Sequence, residues 1–303
     1  MEKIMSAGIQ NGLYLGLIAG LLLAVLSGLV YLRRKKKNQV RENQNRERTK
    51  PAPVMLGTSL RYAVHKDIGK RSSQEDSYGI SELSAYKENG VLALVADGIG
   101  GLDHGAEVSS ALVYSFLNFF RLHAETEPAD MLLEMAAYAN AYISQMLQGM
   151  GQGGSTLVCA LVREGKLYFL TVGDSRLYLH RDGLLILLNR EHTVQEKLVI
   201  DAINNEIPIG RVTSDWQARA VTSYFGIGTI PYADRNADGI RLKQGDKILL
   251  LSDGVFGTIA EEELEAMLQD SIADAVKKIG EKIRRADKPY QDNSTALVLE
   301  YLG

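Results

Sequence analysis

The sequence has little cysteine and little tryptophan. Of its 303 residues, one is cysteine and one is tryptophan. The single cysteine, Cys159, lies in the apolar run LVCALV and cannot form an intramolecular disulfide, which is consistent with a reducing compartment. Because apolar neighbours disfavour a thiolate, Cys159 is interpreted as a core residue and not as a nucleophile.

The larger part of the chain also lacks an excess of basic residues. Residues 33–50 carry nine Lys or Arg and two Glu, a net charge of +7. Residues 51–303 carry 24 Lys or Arg and 34 Asp or Glu, a net charge of −10. A nucleic-acid-binding surface would need a basic stripe. Nucleic acid is therefore not expected as a partner of the acidic part.

The N-terminal region contains an uncharged apolar run. Residues 12–32 are rich in Leu, Ile, Val, Ala and Gly, and they are numerous enough to span a bilayer as a helix. Five basic residues follow at 33–37, which predicts that residues 1–11 lie outside the cell and the rest in the cytoplasm. The alternative is a signal peptide, which would carry its charge before a shorter apolar core.

The rest of the chain divides into a linker and one domain. Residues 33–57 are polar and charged and are interpreted as a juxtamembrane linker, either a plain stop-transfer flank or a segment that also lies on anionic lipid. Residues 58–303 are long enough for one domain of about 250 residues. Short strands with tight links indicate antiparallel hairpins, so the predicted class is α+β. Strands are predicted at 60–66, 77–80, 91–97, 156–163, 166–172, 177–180, 184–188, 248–251 and 296–299, and helices at 104–125, 130–148, 194–202, 260–268 and 272–286.

Two apolar runs end abruptly in Asp-Gly. Residues 91–101 read VLALVADGIGG and residues 248–256 read ILLLSDGVF. A strand that is apolar on both faces holds the carboxylate at its tip on a rigid scaffold. If Asp97 and Asp253 meet, they form an oxygen-rich pocket suited to hard divalent cations. The alternative for each stretch is an ordinary Asp-Gly turn.

Further polar motifs lie at the ends of predicted strands. They are RSSQED at 71–76, GGSTL at 153–157, GDSR at 173–176, REHT at 190–193 and DNST at 292–295. Together with the two Asp-Gly runs, their order resembles bacterial members of the metal-dependent Ser/Thr protein phosphatases of the 2C type, the PPM family, over about residues 58 to 301. The resemblance implies a four-layer α-β-β-α sandwich of two antiparallel sheets flanked by helices, preceded here by the transmembrane helix.

The resemblance also implies a metal centre. Two Mn²⁺ or Mg²⁺ ions would activate water to hydrolyse phosphoserine and phosphothreonine. Asp97 would bridge the ions, Gly98 would contribute its carbonyl, and Asp253 and Asp292 would hold one ion. Asp174 corresponds to a ligand of a weaker third ion shared with Asp253. The alternative for Asp174 is a hairpin-turn aspartate.

Other site residues follow from the same resemblance. Arg71 is expected to clamp the substrate phosphate, because a guanidinium matches phosphate geometry. Its alternative is a salt bridge to one of the acids. Glu75 and Asp76 would act near the ions through water, and Asn293 would orient Asp292.

Three features depart from the pattern or remain unassigned. Many eukaryotic relatives carry a histidine general acid where this chain has Ile99, and His104 does not match that spacing, so no general acid is assigned. Gln74 stands where relatives commonly have asparagine. Residues 195–219 resemble a mobile flap that would tune the choice of substrate.

Two other function classes compete. A nucleotide-binding fold could use GIGG as its phosphate loop, but the third glycine of GxGxxG is missing. A catalytically inactive, phosphatase-like membrane scaffold would lack an acidic ligand, and none is missing here. The sequence therefore predicts a single-pass cell-membrane phosphatase whose cytoplasmic domain acts on phosphoproteins and counteracts a Ser/Thr kinase.

Overall fold

Two antiparallel sheets form the centre of the fold. The structure is a computed structural model that describes residues 55–56, 59–123 and 126–303. The first sheet has the spatial order β1 (Met55–Leu56), β2 (Leu60–Asp67), β12 (Ser294–Tyr301), β11 (Lys247–Leu251), β7 (Arg176–Arg181), β8 (Leu184–Leu187). The second has the order β10 (Ile240–Arg241), β6 (Lys166–Val172), β5 (Leu157–Arg163), β4 (Val91–Asp97), β3 (Asp76–Ile80), with β9 (Asp234–Arg235) also paired to β6.

Helices connect and cover the sheets. They are α1 (Tyr86–Asn89), α2 (Gly105–Leu122), α3 (Pro128–Gln148), α4 (Val194–Ile203), α5 (Gly210–Ser214), α6 (Asp253–Phe256), α7 (Glu261–Leu268) and α8 (Ile272–Ala286), with a 3-10 helix at Leu83–Ala85. Residues 52–303 form one compact unit.

Each central strand is buried on both faces, because successive side chains point to opposite sides of a sheet. In β4, Leu92 and Leu94 pack with residues of α2 and α3, whereas Val91 and Val95 pack between the two sheets. A strand with apolar residues at every position therefore fits an inner layer of a sandwich.

The same alternation occurs in β11 of the other sheet. Leu249 and Leu251 pack with residues of α7 and α8, and Ile248 and Leu250 join the layer between the sheets. The result is the predicted order of layers, with helices on the outside and the two antiparallel sheets in the middle.

The structure agrees closely with the predicted elements where the apolar pattern is long. The helix at Ile272–Ala286 and the strand at Lys166–Val172 have the predicted bounds. Helix α5 is absent from the predicted helices and lies within residues 195–219, the segment that resembles a mobile flap. It is one short turn in which Val212 is the buried residue, so no helical period is visible in the sequence.

The N-terminal predictions fall largely outside the described residues. The proposed span at 12–32 and residues 33–54 of the linker lie there, so those domain boundaries stay predictions. Near the end of the predicted linker, Met55–Leu56 forms strand β1. No helix within the described ranges is both long and apolar enough to cross a membrane.

The layer between the sheets should carry much of the stability. Leu250 is fully buried there, whereas Leu184 on the edge strand β8 is 61% exposed. We expect Leu250→Ala to lower the free energy of unfolding by about 3 kcal/mol, because it leaves a cavity in the core. Leu184→Ala should change it by less than about 0.5 kcal/mol. Urea denaturation of the full chain measures both; equal losses would contradict this packing.

Candidate active site

Two strand ends and one neighbouring strand bring three aspartates together. Asp97 is the last residue of β4, and Asp253 begins α6 directly after β11. The backbone N–H of Asp253 points to Oδ2 of Asp97 at 3.5 Å. Asp76 pairs with Asp97 across the β3–β4 ladder. The two Asp-Gly runs therefore meet at one end of the sandwich.

A cavity of about 190 Å³ opens at this place. Seven of the nine residues singled out from the sequence line it: Arg71, Glu75, Asp97, Gly98, Asp174, Asp253 and Asp292. The remaining lining residues are Ile99, Gly100, Thr156, Arg219 and Val221. Seven separated segments of the chain thus supply one acid-lined pocket.

Asp76 does not line the pocket but lies directly behind it. It is 1% exposed, and its Oδ2 accepts hydrogen bonds from Ser252 Oγ and Thr295 Oγ1, each at 2.7 Å. Burial raises the pKa of Asp76, and these hydroxyl donors oppose the rise. Its other oxygen, Oδ1, is buried without a hydrogen-bond partner among the described residues. An orphan buried acceptor calls for a bound water or cation.

Asn293 supports two parts of the site. Its backbone N–H donates to Oδ1 of Asp292 at 2.8 Å, so the main chain orients that carboxylate. Its side-chain Oδ1 accepts from the N–H of Glu75 at 2.7 Å, and its Nδ2 donates to the carbonyls of Ile68 and Ser73. The side chain therefore fixes the loop before β3, a role that the sequence did not indicate.

Arg71 forms a salt bridge to Asp292, which is the alternative that the sequence analysis gave to a phosphate clamp. Its Nη2 donates to Oδ2 of Asp292 at 2.6 Å, and its side chain remains 50% exposed. The guanidinium also lies close to Gly100, where an added Cβ would come within 3.1 Å of Nη1. Arg71 is thus held at the pocket by an ion pair, and the phosphate clamp stays a prediction.

Gly98 is required by close packing of the backbone. An added Cβ would lie 2.5 Å from the carbonyl oxygen of Gly105 and 2.7 Å from that of Glu75. The N–H of Gly98 donates to the same Glu75 carbonyl at 3.1 Å. Any larger residue would push Asp97 and the loop of Glu75 apart.

The carboxylates of the pocket oppose one another's ionisation. Burial raises the pKa of Asp97 well above its usual range, and the charges of Asp76, Asp253, Asp174 and Asp292 raise it further. Burial, with Asp174 and Asp292 nearby, raises the pKa of Asp253 to about 7. Burial and Glu191 raise the pKa of Asp174 to about 6. A bound cation would remove this repulsion.

The side chains do not yet form a closed cage. Across the described ranges, no three His, Cys, Asp or Glu side chains are gathered as a ready-made metal cluster. The acids instead line an open pocket, as expected for ions that keep several waters.

Four further residues bear on the chemistry of the pocket. Arg219, at the end of the predicted flap, and Thr156 line the pocket. No pattern in the sequence marks Arg219, because it lies in an irregular loop. Nε2–H of His104 donates to the carbonyl oxygen of Met150 at 2.9 Å, and His104 does not line the pocket. Ile99 does line it. The general acid therefore remains unassigned.

The fold and the pocket define an α-β-β-α sandwich with an acid-lined cavity at one end of its two sheets. Residues 65–288 match the family model described as Protein phosphatase 2C. The chain belongs to the protein phosphatase 2C family, the metal-dependent serine/threonine protein phosphatases.

Individual relatives agree with this family. The chain is 31% identical over 253 residues to the serine/threonine protein phosphatase PstP of Mycobacterium tuberculosis, covering 80% of this chain and 45% of the relative. It is 27% identical to the serine/threonine phosphatase stp of Listeria monocytogenes, covering 76% and 91%. The solved catalytic domain of PstP in complex with two manganese ions has a TM-score of 0.64 and 25% identity, covering 81% of this chain and 99% of that domain. The chain thus spans less than half the length of PstP.

A second family model corrects the predicted localisation. Residues 6–38 match a model described as LPXTG cell wall anchor motif. The matched stretch holds the apolar run and the basic cluster, although no Leu-Pro-X-Thr-Gly pentapeptide occurs in it. The match indicates a cell-wall anchor. This finding contradicts the prediction of a single-pass cell-membrane protein with a cytoplasmic catalytic domain, and that prediction is wrong.

The raised pKa of Asp253 predicts a pH-dependent stability in chelator. An aspartate with a pKa of about 7 in the folded state and about 4 in the unfolded state binds its proton more tightly when folded. Stability therefore falls as the pH rises from about 4 to about 7. Relative to Asp253→Asn, the wild type should lose on the order of 2 kcal/mol between pH 5 and pH 8.

Thermal melts of the full chain in EDTA at these two pH values test this expectation. Asp238→Asn, at an exposed position, is the control and should follow the wild type. A wild type that keeps a constant offset from Asp253→Asn at both pH values would contradict the assigned repulsion.

Proposed function

We propose that the domain hydrolyses phosphoserine and phosphothreonine in proteins, with two Mn²⁺ or Mg²⁺ ions in the acid-lined pocket. The observation that carries this proposal is the convergence of Asp97, Asp253, Asp292 and Asp174 on one cavity. The relative solved with two manganese ions supports the same metal and the same number of ions.

The residues present fit such ions. Every acidic ligand offers oxygen only, which suits hard divalent cations and not Zn²⁺. The orphan Oδ1 of Asp76 and the mutual repulsion around Asp97 each call for positive charge. Asp97, Gly98, Asp253 and Asp292 would hold the two ions. Asp174, which lines the same cavity, is the candidate ligand of a third.

Bound cations would supply Lewis-acid activation of water and would neutralise the phosphoryl oxygens. The chain's own residues do the positioning. Asp97 and Asp253 are fixed by the ends of two buried strands, and Glu75 is held by Asn293. Such fixed carboxylates need little rearrangement during the reaction.

The phosphate would be recognised by arginine. Arg71 and Arg219 both line the cavity, and each guanidinium can donate two parallel hydrogen bonds to a phosphate. If Asp292 bound a metal ion, Arg71 would lose its hydrogen bond to Asp292 and could donate to the substrate phosphate instead. The substrates would be phosphoproteins made by a Ser/Thr kinase.

Metal dependence tests the proposal directly. The full chain should release phosphate from a phosphothreonine peptide with Mn²⁺ and should lose this activity in EDTA. Asp97→Asn and Asp253→Asn should each lower turnover at least a hundredfold, on the order of 3 kcal/mol of transition-state stabilisation. Asp238→Asn is the control. Full turnover in chelator, or in folded Asp253→Asn protein, would refute the metal mechanism.

Arg71 separates substrate binding from ion pairing. If it clamps phosphate, Arg71→Ala should raise KM about tenfold with little change in the Mn²⁺ concentration for half-maximal activity. Arg71→Lys should not restore KM, because an ammonium cannot form the bidentate fork. If Arg71 only neutralises Asp292, KM should stay constant and the Mn²⁺ requirement should change. Steady-state kinetics at several Mn²⁺ concentrations distinguishes these results.

A further inference from the structure

A second cavity lies beside helix α4 and shares no lining residue with the acid-lined pocket. Its volume is about 530 Å³, within the range of about 300 to 1,000 Å³ typical of small-molecule sites. We call it the α4 cavity. Six of its lining residues matter here: His192, Thr193, Lys197, Ile200, Thr222 and Tyr232.

His192 gives the α4 cavity a buried hydrogen-bond donor. The side chain is 2% exposed, and its Nδ1 accepts from the N–H of Gly173 at 3.0 Å, which places the ring proton on Nε2. Nε2 makes no hydrogen bond within the described part of the chain. Asp234 Oδ1, which accepts from Arg190 at 2.8 Å, lies 3.4 Å from Nε2, farther than in an ordinary N–H···O hydrogen bond.

The rest of the lining indicates a ligand with one negative charge and an apolar body. Lys197 is exposed and has no ion pair in the described residues, whereas Arg190 is paired with Glu196 and Asp234. Ile200 and Tyr232 offer partly exposed apolar surface.

Acidic lining residues limit how much negative charge the ligand can carry. Glu196 lines the cavity and is paired with Arg190. Asp201 is also part of the lining, and it lies one helical turn beyond Lys197 on α4. Its carboxylate would repel a polyanion, so a single negative charge suits the site better than a polyphosphate does.

We propose that the α4 cavity binds a small aromatic monoanion and that this binding changes the affinity of the acid-lined pocket for metal ions. The anionic group meets Nε2–H of His192 and Lys197, and the aromatic body lies against Ile200 and Tyr232. Binding itself does not depend on the proposed phosphatase activity. Only the transmission to the metal ligands rests on that proposal.

Backbone segments that are hydrogen-bonded to one another separate the two cavities. His192 donates its N–H to the carbonyl of Gly173 at 2.9 Å and accepts the N–H of Gly173 in return, and Asp174 is the next residue. Thr193 bridges to Val221, which lines the acid-lined pocket, while Thr222 lines the α4 cavity. A shift of His192 must therefore move the segment that carries Asp174.

The probe for binding is 1-anilinonaphthalene-8-sulfonate, an aromatic monoanion whose fluorescence rises in apolar sites. The full chain should bind it saturably, and Lys197→Glu should weaken binding at least tenfold. Lys87→Glu, a charge reversal at an exposed lysine of α1, is the matched control and should leave binding unchanged. Uncharged N-phenyl-1-naphthylamine should bind the wild type and Lys197→Glu equally. Equal binding of the sulfonate by wild type and Lys197→Glu overturns the site.

The coupling has a separate measurement. Saturating sulfonate should shift the Mn²⁺ dissociation constant, measured by calorimetry, at least threefold in the wild type and not in Lys197→Glu. Sulfonate binding without this shift would overturn the coupling. If Mn²⁺ does not bind at all, the proposed function and the coupling fail together, but the comparison of Lys197→Glu with Lys87→Glu still decides the site.

Discussion

The structure depends on holding mutually repelling carboxylates in one place. Asp97 carries a pKa far above its usual range because burial and four neighbouring aspartates oppose its ionisation. Such an arrangement survives only where the surrounding fold contributes enough stability elsewhere. Here the apolar layers on both faces of β4 and β11 provide it. In the proposed function, this repulsion is the physical origin of metal affinity, since cations gain most where carboxylates are already forced together.

Asp76 links that repulsion to the architecture. It belongs to β3 of the second sheet, yet its Oδ2 accepts hydrogen bonds from two residues of the first sheet region. Ser252 directly follows β11, and Thr295 lies in β12. One buried carboxylate thus ties the two sheets together at the end where the pocket opens. Because Asp76 also pairs with Asp97, the spacing of the sheets and the position of the central ligand are set by the same residue.

Local patterns in the sequence predicted the α+β class and two of the aspartates, and the order of the motifs, through the family resemblance, predicted the layers and most of the pocket. Continuous apolar strands and Asp-Gly ends predicted Asp97 and Asp253, and the ordered motifs added Arg71 and Asp292. Arg219 could not be found this way, since its place in the pocket depends on tertiary structure. The same holds for the side chain of Asn293, which reaches the loop before β3. The localisation failed for another reason: an apolar run followed by basic residues is common to membrane anchors and to the cell-wall anchor model that matches residues 6–38.

Within the described residues, the segment from Arg190 to Tyr232 buries few apolar side chains. It presents Ile203, Ile209 and Trp216 largely to solvent and Arg219 to the pocket, and its two short helices, α4 and α5, contain one buried residue between them, Val212. It is attached through the His192–Gly173 pair and through Phe225, which is buried in the core and bridges to Ser155, while the Thr193–Val221 bridge lies within the segment. The His192–Gly173 pair lies beside Asp174, whereas Asp97 and Asp253 lie at the ends of the sheet strands β4 and β11. In the proposed function, the pocket therefore combines two ligands on the sheets, Asp97 and Asp253, with a third, Asp174, whose neighbour Gly173 is bonded to this less buried segment.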